Sequence, residues 1–374
     1  MSNPSTQFRT AIPALTSIRF FAALAVMMFH YGAGFLARLG LPGPIVQFFE
    51  NGFLGVSLFF VLSGFIITYS HKSESISRRF LADFYVARIA RIYPVYLLSL
   101  LIMLPVVLAP FTPLSGVSVL AMVQSWTPIQ SGRGYTWMMQ AWTLSIEAFF
   151  YLLFPLLWIG LRRVSSAVNI ALIVLSALAL VMFGLPSVVP GTVQLPFLPV
   201  TGWILLPVYR LPEFIYGMTL CRLLMDHPDL SRRLGGSATE IALVVAMAAV
   251  LMFATDVHSK AVFTVLAGLL LLVVFEGHGI VTRLLSVRLL LLLGGASYAM
   301  YLLQAPVRHW CARLIPVPLD QFISPFATVA LSIVVFLLFE QTMRRAILRA
   351  WRGYRQPPED VRRPTQPIKR GSAE

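Results

Sequence analysis

Apolar residues fall in blocks of about twenty, parted by short stretches that hold most of the charge. A block of that length is what an α-helix needs to cross the roughly 30 Å hydrocarbon core of a bilayer. On that template the chain predicts spans near 12–32, 50–70, 92–111, 140–160, 166–184, 203–223, 239–255, 261–277, 289–311 and 323–343. The alternating ten-residue pattern of a β-barrel does not occur in the sequence, so the expected fold class is all-α, a polytopic membrane protein of about ten transmembrane helices. A further apolar piece, Leu114 to Trp126, is too short to cross and lies among Pro113, Pro128 and Gly132. It reads as one short re-entrant or interfacial segment. The stretch from His71 to Arg91 alternates Arg78, Arg79, Arg88 and Arg91 with Phe80, Leu81, Phe84, Val86 and Ile89, and predicts a basic amphipathic helix lying on the membrane surface.

Composition excludes a soluble globular protein: of 374 residues 58% are hydrophobic and 12% charged, with a mean hydropathy of +0.80. A net charge of +14 points to nucleic acid at first sight, but the cations sit in loops, where the rule that positive charge stays inside explains them. With ten spans, twenty-two lysines and arginines fall on one side, from Arg9 through the 72–91, 162–163, 222–233 and 283–288 loops to nine residues between Arg344 and Arg370. Only Arg38, Arg133, Lys260, Arg308 and Arg313 fall on the other. Both termini are therefore expected in the cytoplasm, with the first span retained rather than cleaved as a signal peptide, because Arg19 interrupts it. Counting Leu114 to Trp126 as a span would invert every later loop. Residues 1–349 are expected to form the membrane domain and 350–374 a basic, disordered tail drawn to anionic lipid. Cys221 and Cys311 stand alone in separate spans and predict neither disulfide nor metal site. No soluble catalytic domain is evident, so any chemistry has to use the membrane domain.

Charged groups inside the spans are then the candidates, because a charge at membrane depth is costly and marks function by default. Arg19 and His30 are eleven residues apart, close to three helical turns, so they share one face about 16 Å apart along the axis; the plain alternative is that each snorkels to its nearer interface. Arg88 and Arg91, at i and i+3, present two forked cations suited to phosphate groups or to lipid headgroups. Glu147, buried among aromatics in AWTLSIEAFFYLLFP, must be paired or protonated; it either pairs with Arg19 or Arg210 or orients His30. Arg210 and Glu213 stand at i and i+3 and can neutralise each other. Gly55, Ser57, Ser63 and Gly64 let another helix approach the second span closely, whereas Glu340 beside Arg344 and Arg345 reads as structural.

These motifs resemble those of the acyltransferase-3 membrane family, which acylates sugars and other cell-envelope acceptors. Arg19, ten intervening residues and His30 resemble its opening signature, GVSLFFVLSGFIIT its second helix, ARIARIYP its second arginine motif, and Trp142, Ser145, Glu147, Phe150 and Tyr151 its carboxylate motif. GGASYAMYLLQAP, Gly294 to Pro306, is similar to its closing pattern. The chain departs from the family at Ala148, where a second acid is frequent, and at Gln304, where many members carry histidine; glutamine can hydrogen-bond an acceptor but cannot shuttle a proton. The resemblance implies an integral membrane O-acyltransferase that moves an acyl group, acetyl in the first instance, from cytoplasmic acyl-CoA to a hydroxyl of an exopolysaccharide, O-antigen or lipid-linked sugar. It implies His30 as general base or transient acyl acceptor, Arg19 on a donor phosphate or the thioester carbonyl, Arg88 and Arg91 on donor phosphates, and Glu147 behind His30. Tyr301, Gln304 and Arg210 would face the acceptor. Acetyl-CoA is then a co-substrate, and no cofactor or metal is permanently bound. A transporter or flippase is the rival reading, since cations, a histidine and a carboxylate at several depths also describe a pathway; the inverted repeat such a protein often shows is not apparent.

Overall fold

In the computed structural model, residues 12–32, 36, 39–106, 112–126, 137–184 and 205–355 are described. Each apolar block holds a helix: α1 Pro13–Tyr31, α2 Gly55–Ser70, α3 Arg78–Met103, α4 Trp142–Leu161, α5 Ser166–Phe183, α6 Leu211–Asp226, α7 Ser237–Phe253, α8 Val257–Val274, α9 Arg288–Leu314 and α10 Leu319–Val334. No strand occurs among the described residues. Among the described residues, eight stretches are long and apolar enough to cross a bilayer. α6 and α7, with 16 and 17 residues, rise about 24–26 Å and fall just short of the core thickness. α6 is shortened by Pro212, which ends a preceding helical turn, Leu206–Tyr209, and leaves Arg210 at the break.

Two expectations change. The stretch before the third span is not a separate surface helix: α3 begins at Arg78, capped by Ser77, whose hydroxyl accepts from Phe80 N at 3.1 Å. Phe80 and Phe84 are buried against His71 and Phe154 instead of lying in headgroups, and the helix continues through Pro94, as membrane helices tolerate when neighbours enclose them. The expected boundary at residue 349 falls inside another helix, α11 Gln341–Arg355, joined to α10 by a π-helical turn over Val335–Glu340. The rest of the expected tail, 356–374, lies outside the described residues, as do Arg9, Arg38, Pro128, Gly132 and Arg133.

The short apolar piece forms a two-turn helix, Pro113–Leu120, started by a Thr112 and Ser115 capping box. It is packed into the end of the bundle. Tyr96 donates to Val119 O at 2.7 Å from α3, and the turn that follows bonds α4 through Gln124 Nε2 to Ala141 O and Trp126 Nε1 to Ser145 O, each at 2.8 Å. It does not cross, and the helix directions agree. α1 and α9 run parallel, since Thr16 abuts Gly294 while His30 O, further on, accepts from Arg308. Two spans eight crossings apart must be parallel, and an added crossing would make them antiparallel. The loops expected on the cationic side also meet at one end: Arg222 donates to Arg162 O, Arg162 to Glu74 O, Arg355 pairs with Asp83 and Arg232 with Glu276.

Close backbone approach fixes the centre of the bundle. A Cβ on Gly64 would sit 2.1 Å from Phe214 O, and one on Gly217 1.9 Å from Val61 O, so α2 and α6 cross where neither can carry a side chain. That contact seats α2 between α1, α4 and α6.

Candidate active site

Helical periodicity brings five helices to one cavity of about 130 Å³. On α4, Thr143, Glu147 and Tyr151 follow at four-residue steps and share a face, and on α3 and α9 the three-residue spacings of Arg88 with Arg91 and of Tyr298 with Tyr301 do the same. α1 contributes Arg19, and α2 lays Ser63 and an apolar wall that includes Phe59, Phe60 and Ile67 along the other side.

The cavity is electropositive. Arg19 makes no ion pair and no hydrogen bond among the described residues; it feels the like charge of Arg91 and the opposite charges of Glu340 and Glu147. Arg88 lies over the rings of Phe84 and Tyr151 at 5.5 and 5.7 Å, and its buried Nε has no partner. Arg91 lies over Tyr298 at 5.6 Å and forms an ion pair with Glu340 of the π-helical turn. Glu147 Oε1 accepts from the Tyr151 hydroxyl and from Ser63 Oγ at 3.3 Å. Three guanidinium groups thus face Glu147 inside and Glu340 behind Arg91, which leaves one positive charge in excess. Guanidinium forks presented with donors to spare are suited to a phosphate or a developing oxyanion.

Of the site residues read from sequence, Arg19, Arg88, Arg91, Glu147 and Tyr301 come together here. Tyr301 is held by Thr143 Oγ1 at 2.9 Å and donates to Gln140 O at 3.2 Å. His30 does not line the cavity. It lies half-buried near the far end of α1, its ring 4.9 Å from that of Phe29 and without a hydrogen bond among the described residues, while its carbonyl accepts from Arg308. Glu147 is bound to Tyr151 and Ser63 and neither bonds His30 nor pairs with Arg19 or Arg210. Gln304 is 2% exposed, donates from Nε2 to Tyr301 O at 2.8 Å and keeps a buried Oε1 without a partner; its carbonyl accepts from Tyr31, the neighbour of His30. Arg210 is turned away from the cavity: it pairs with Glu213 at 2.7 Å, donates to Ser57 Oγ at 3.0 Å and covers the ring of Phe60. The local self-neutralisation that its spacing allows is what forms.

Sequence reading gave no role to Thr143 or Tyr298, took Ser63 as a small packing residue and Tyr151 only as part of the carboxylate motif, and took Glu340 as structural. Tyr151 had a signal, being one turn from Glu147 within the same motif, and Glu340 had another, being an acid within a predicted span.

The sequence profile of an acyltransferase domain matches residues 12–341. The chain is 31% identical over 234 residues to the acyltransferase MdmB of Streptomyces mycarofaciens, a match that covers 57% of each protein. It is 29% identical over 160 residues to the O-acetyltransferase OatA of Staphylococcus aureus, covering 39% of this chain and 24% of that protein. The chain thus spans little more than half of the first relative's length and about a quarter of the second's. No solved structure matches.

Proposed function

The chain belongs to the acyltransferase domain family, and from that premise we propose an integral membrane O-acyltransferase that moves an acetyl group from acyl-CoA to a hydroxyl of an envelope carbohydrate. The observation that carries the reading is the cavity in which Arg19, Arg88 and Arg91 converge with two guanidinium groups unpaired. A soluble acyl donor with several phosphates is the chemistry that such a cluster fits. Arg88 and Arg91 hold phosphate oxygens, and Arg19, further along, meets a phosphate or the thioester carbonyl, where a buried cation stabilises developing negative charge. Glu147, through Tyr151 and Ser63, keeps this wall of the cavity in place. At the far end His30 takes the proton of the acceptor hydroxyl, or first accepts the acyl group. The C–O ester bond forms as the C–S thioester bond breaks, and the hydroxyl proton ends on the departing thiol. In this reading Gln304 Oε1, buried without a partner among the described residues, accepts a hydrogen bond from a sugar hydroxyl once the acceptor opens the site, with Tyr301 beside it. We place the chain in a bacterial inner membrane with the arginine cluster toward the cytoplasm, on the strength of the charge asymmetry of its loops.

Sidedness tests this reading. In sealed vesicles of known orientation loaded with lipid-linked envelope oligosaccharide, acetyl-CoA supplied to the face bearing residues 71–77 should release free coenzyme A on that face and yield acetylated oligosaccharide on the other. Oligosaccharide translocated unmodified, with no thioester cleaved, would overturn the reading in favour of a transporter.

A further inference from the structure

Glu340 reaches the cavity's cations from behind its wall. It closes the π-helical turn Val335–Glu340, and wide turns of this kind are rare and concentrate at functional sites. On α10 the buried polar residues Ser324, Thr328 and Ser332 follow at four-residue steps. In an unbroken α-helix, at about 100° per residue, a side chain at position 340 would have turned roughly 120° from Thr328, the middle of their face. The wide turn absorbs that surplus, and Glu340 remains 1% exposed. One of its carboxylate oxygens takes Arg91 and the other is buried with no partner among the described residues. One turn on, Arg344 exerts its charge on Glu340, Arg88 and Arg91 alike.

If Arg91 serves donor phosphate, a buried carboxylate already bound to it works against affinity, so Glu340 needs a reason of its own. The membrane supplies one. An arginine cluster at its surface meets a large excess of anionic phospholipid, whose phosphodiester headgroups carry a single negative charge on the phosphate. Exchanging the Glu340 carboxylate for such a headgroup replaces one monoanion with another. A phosphate monoester, with a charge between about −1.5 and −2 at neutral pH, outbids both.

We propose that Glu340 sets a binding threshold, an internal monoanion seated on Arg91 that phosphodiester lipids, matching its charge, do not displace and that the more highly charged phosphate monoesters do. On admission the carboxylate passes to Arg344, four residues along the same helix, a spacing at which acid and base pair. This inference rests on the acyl-CoA reading, whose donor carries a phosphomonoester at its adenosine end.

The test uses the full chain in nanodiscs of uncharged lipid, with adenosine 3′,5′-bisphosphate as the monoester probe and dihexanoyl phosphatidylglycerol as the diester probe. Wild type should prefer the bisphosphate. Glu340→Gln should tighten the binding of each probe by about tenfold, the low end for one hydrogen bond to a charged group, and so let the diester occupy the cluster. In an Arg91→Gln background the same change should have no effect, which a merely structural role for Glu340 would not produce. A folded Glu340→Gln protein with unchanged diester affinity overturns the proposal. Should that variant not fold, Glu340→Asp, which shortens the reach to Arg91, takes its place under the same criterion. Wild-type protein that binds neither probe would sink the donor reading itself and the filter with it, whereas bisphosphate binding that ignores Glu340 removes the filter alone.

Discussion

Arg19→Gln separates a functional cation from a structural one. The guanidinium lies in the bundle with no ion pair or hydrogen bond among the described residues, repelled by Arg91 and attracted at longer range by Glu340 and Glu147. Burying a charge without a partner costs several kcal/mol, and those two carboxylates offset only part of that. The glutamine variant should therefore be as stable as wild type or more so, by up to about 2 kcal/mol. At about 2–4 °C per kcal/mol, its Tm should hold or rise by a few degrees. Acyl transfer should behave in the opposite way. Loss of one preorganised group that meets developing charge costs about 2.7–4 kcal/mol, or 10²–10³ in turnover. Cys221 and Cys311 are buried free thiols, so a thiol-reactive dye can follow thermal unfolding of the purified protein while turnover is measured on the same sample. A Tm lowered by more than about 3 °C with turnover inside tenfold of wild type would make Arg19 a counter-ion for the two carboxylates and refute the argument.

Two further outcomes are expected. His30→Ala should lower acyl transfer by about 10²–10⁴, the usual contribution of a general base, with thermal stability unchanged; turnover above about a tenth of wild type would reduce His30 to an anchor. Arg210→Met should destabilise the fold by about 3–5 kcal/mol, because it strands Glu213, 0% exposed, while adding Glu213→Leu should restore most of the loss; an Arg210→Met protein as stable as wild type but unable to saturate with acceptor would return Arg210 to the acceptor site.

What the sequence made legible is what is local or what the membrane enforces. The length of an apolar block is set by bilayer thickness, so each of the ten blocks holds a helix. Arg210 and Glu213 are three residues apart, so their pairing was readable before any fold was known. The start of α3 was not, because a face of Phe80 and Phe84 beside arginines looks the same whether it rests on headgroups or on Phe154. Nor was the partner of Arg91, 249 residues away on a helix whose register depends on one wide turn. The partners of Glu147 were not legible either. Charge and motif offered Arg19, Arg210 or His30, whereas the carboxylate takes two hydroxyls, one of them a single turn along its own helix.

The separation of His30 from the cavity also follows from helix geometry. α1 and α9 are parallel and in register, with Thr16 beside Gly294 and His30 beside Arg308. At 1.5 Å per residue, Tyr298, Tyr301 and Gln304 therefore stand about 1.5, 6 and 10 Å beyond the level of Arg19, and His30 about 16 Å beyond it. The polar groups form a ladder along two helices, of which the cavity takes in the lower rungs, from Arg19 to Tyr301. A compact ligand cannot touch both ends of such a ladder. Acyl-CoA is an extended molecule with its phosphates at one end and its thioester at the other, and this is the kind of substrate for which one helix would carry a phosphate-binding cation and a base on the same face three turns apart.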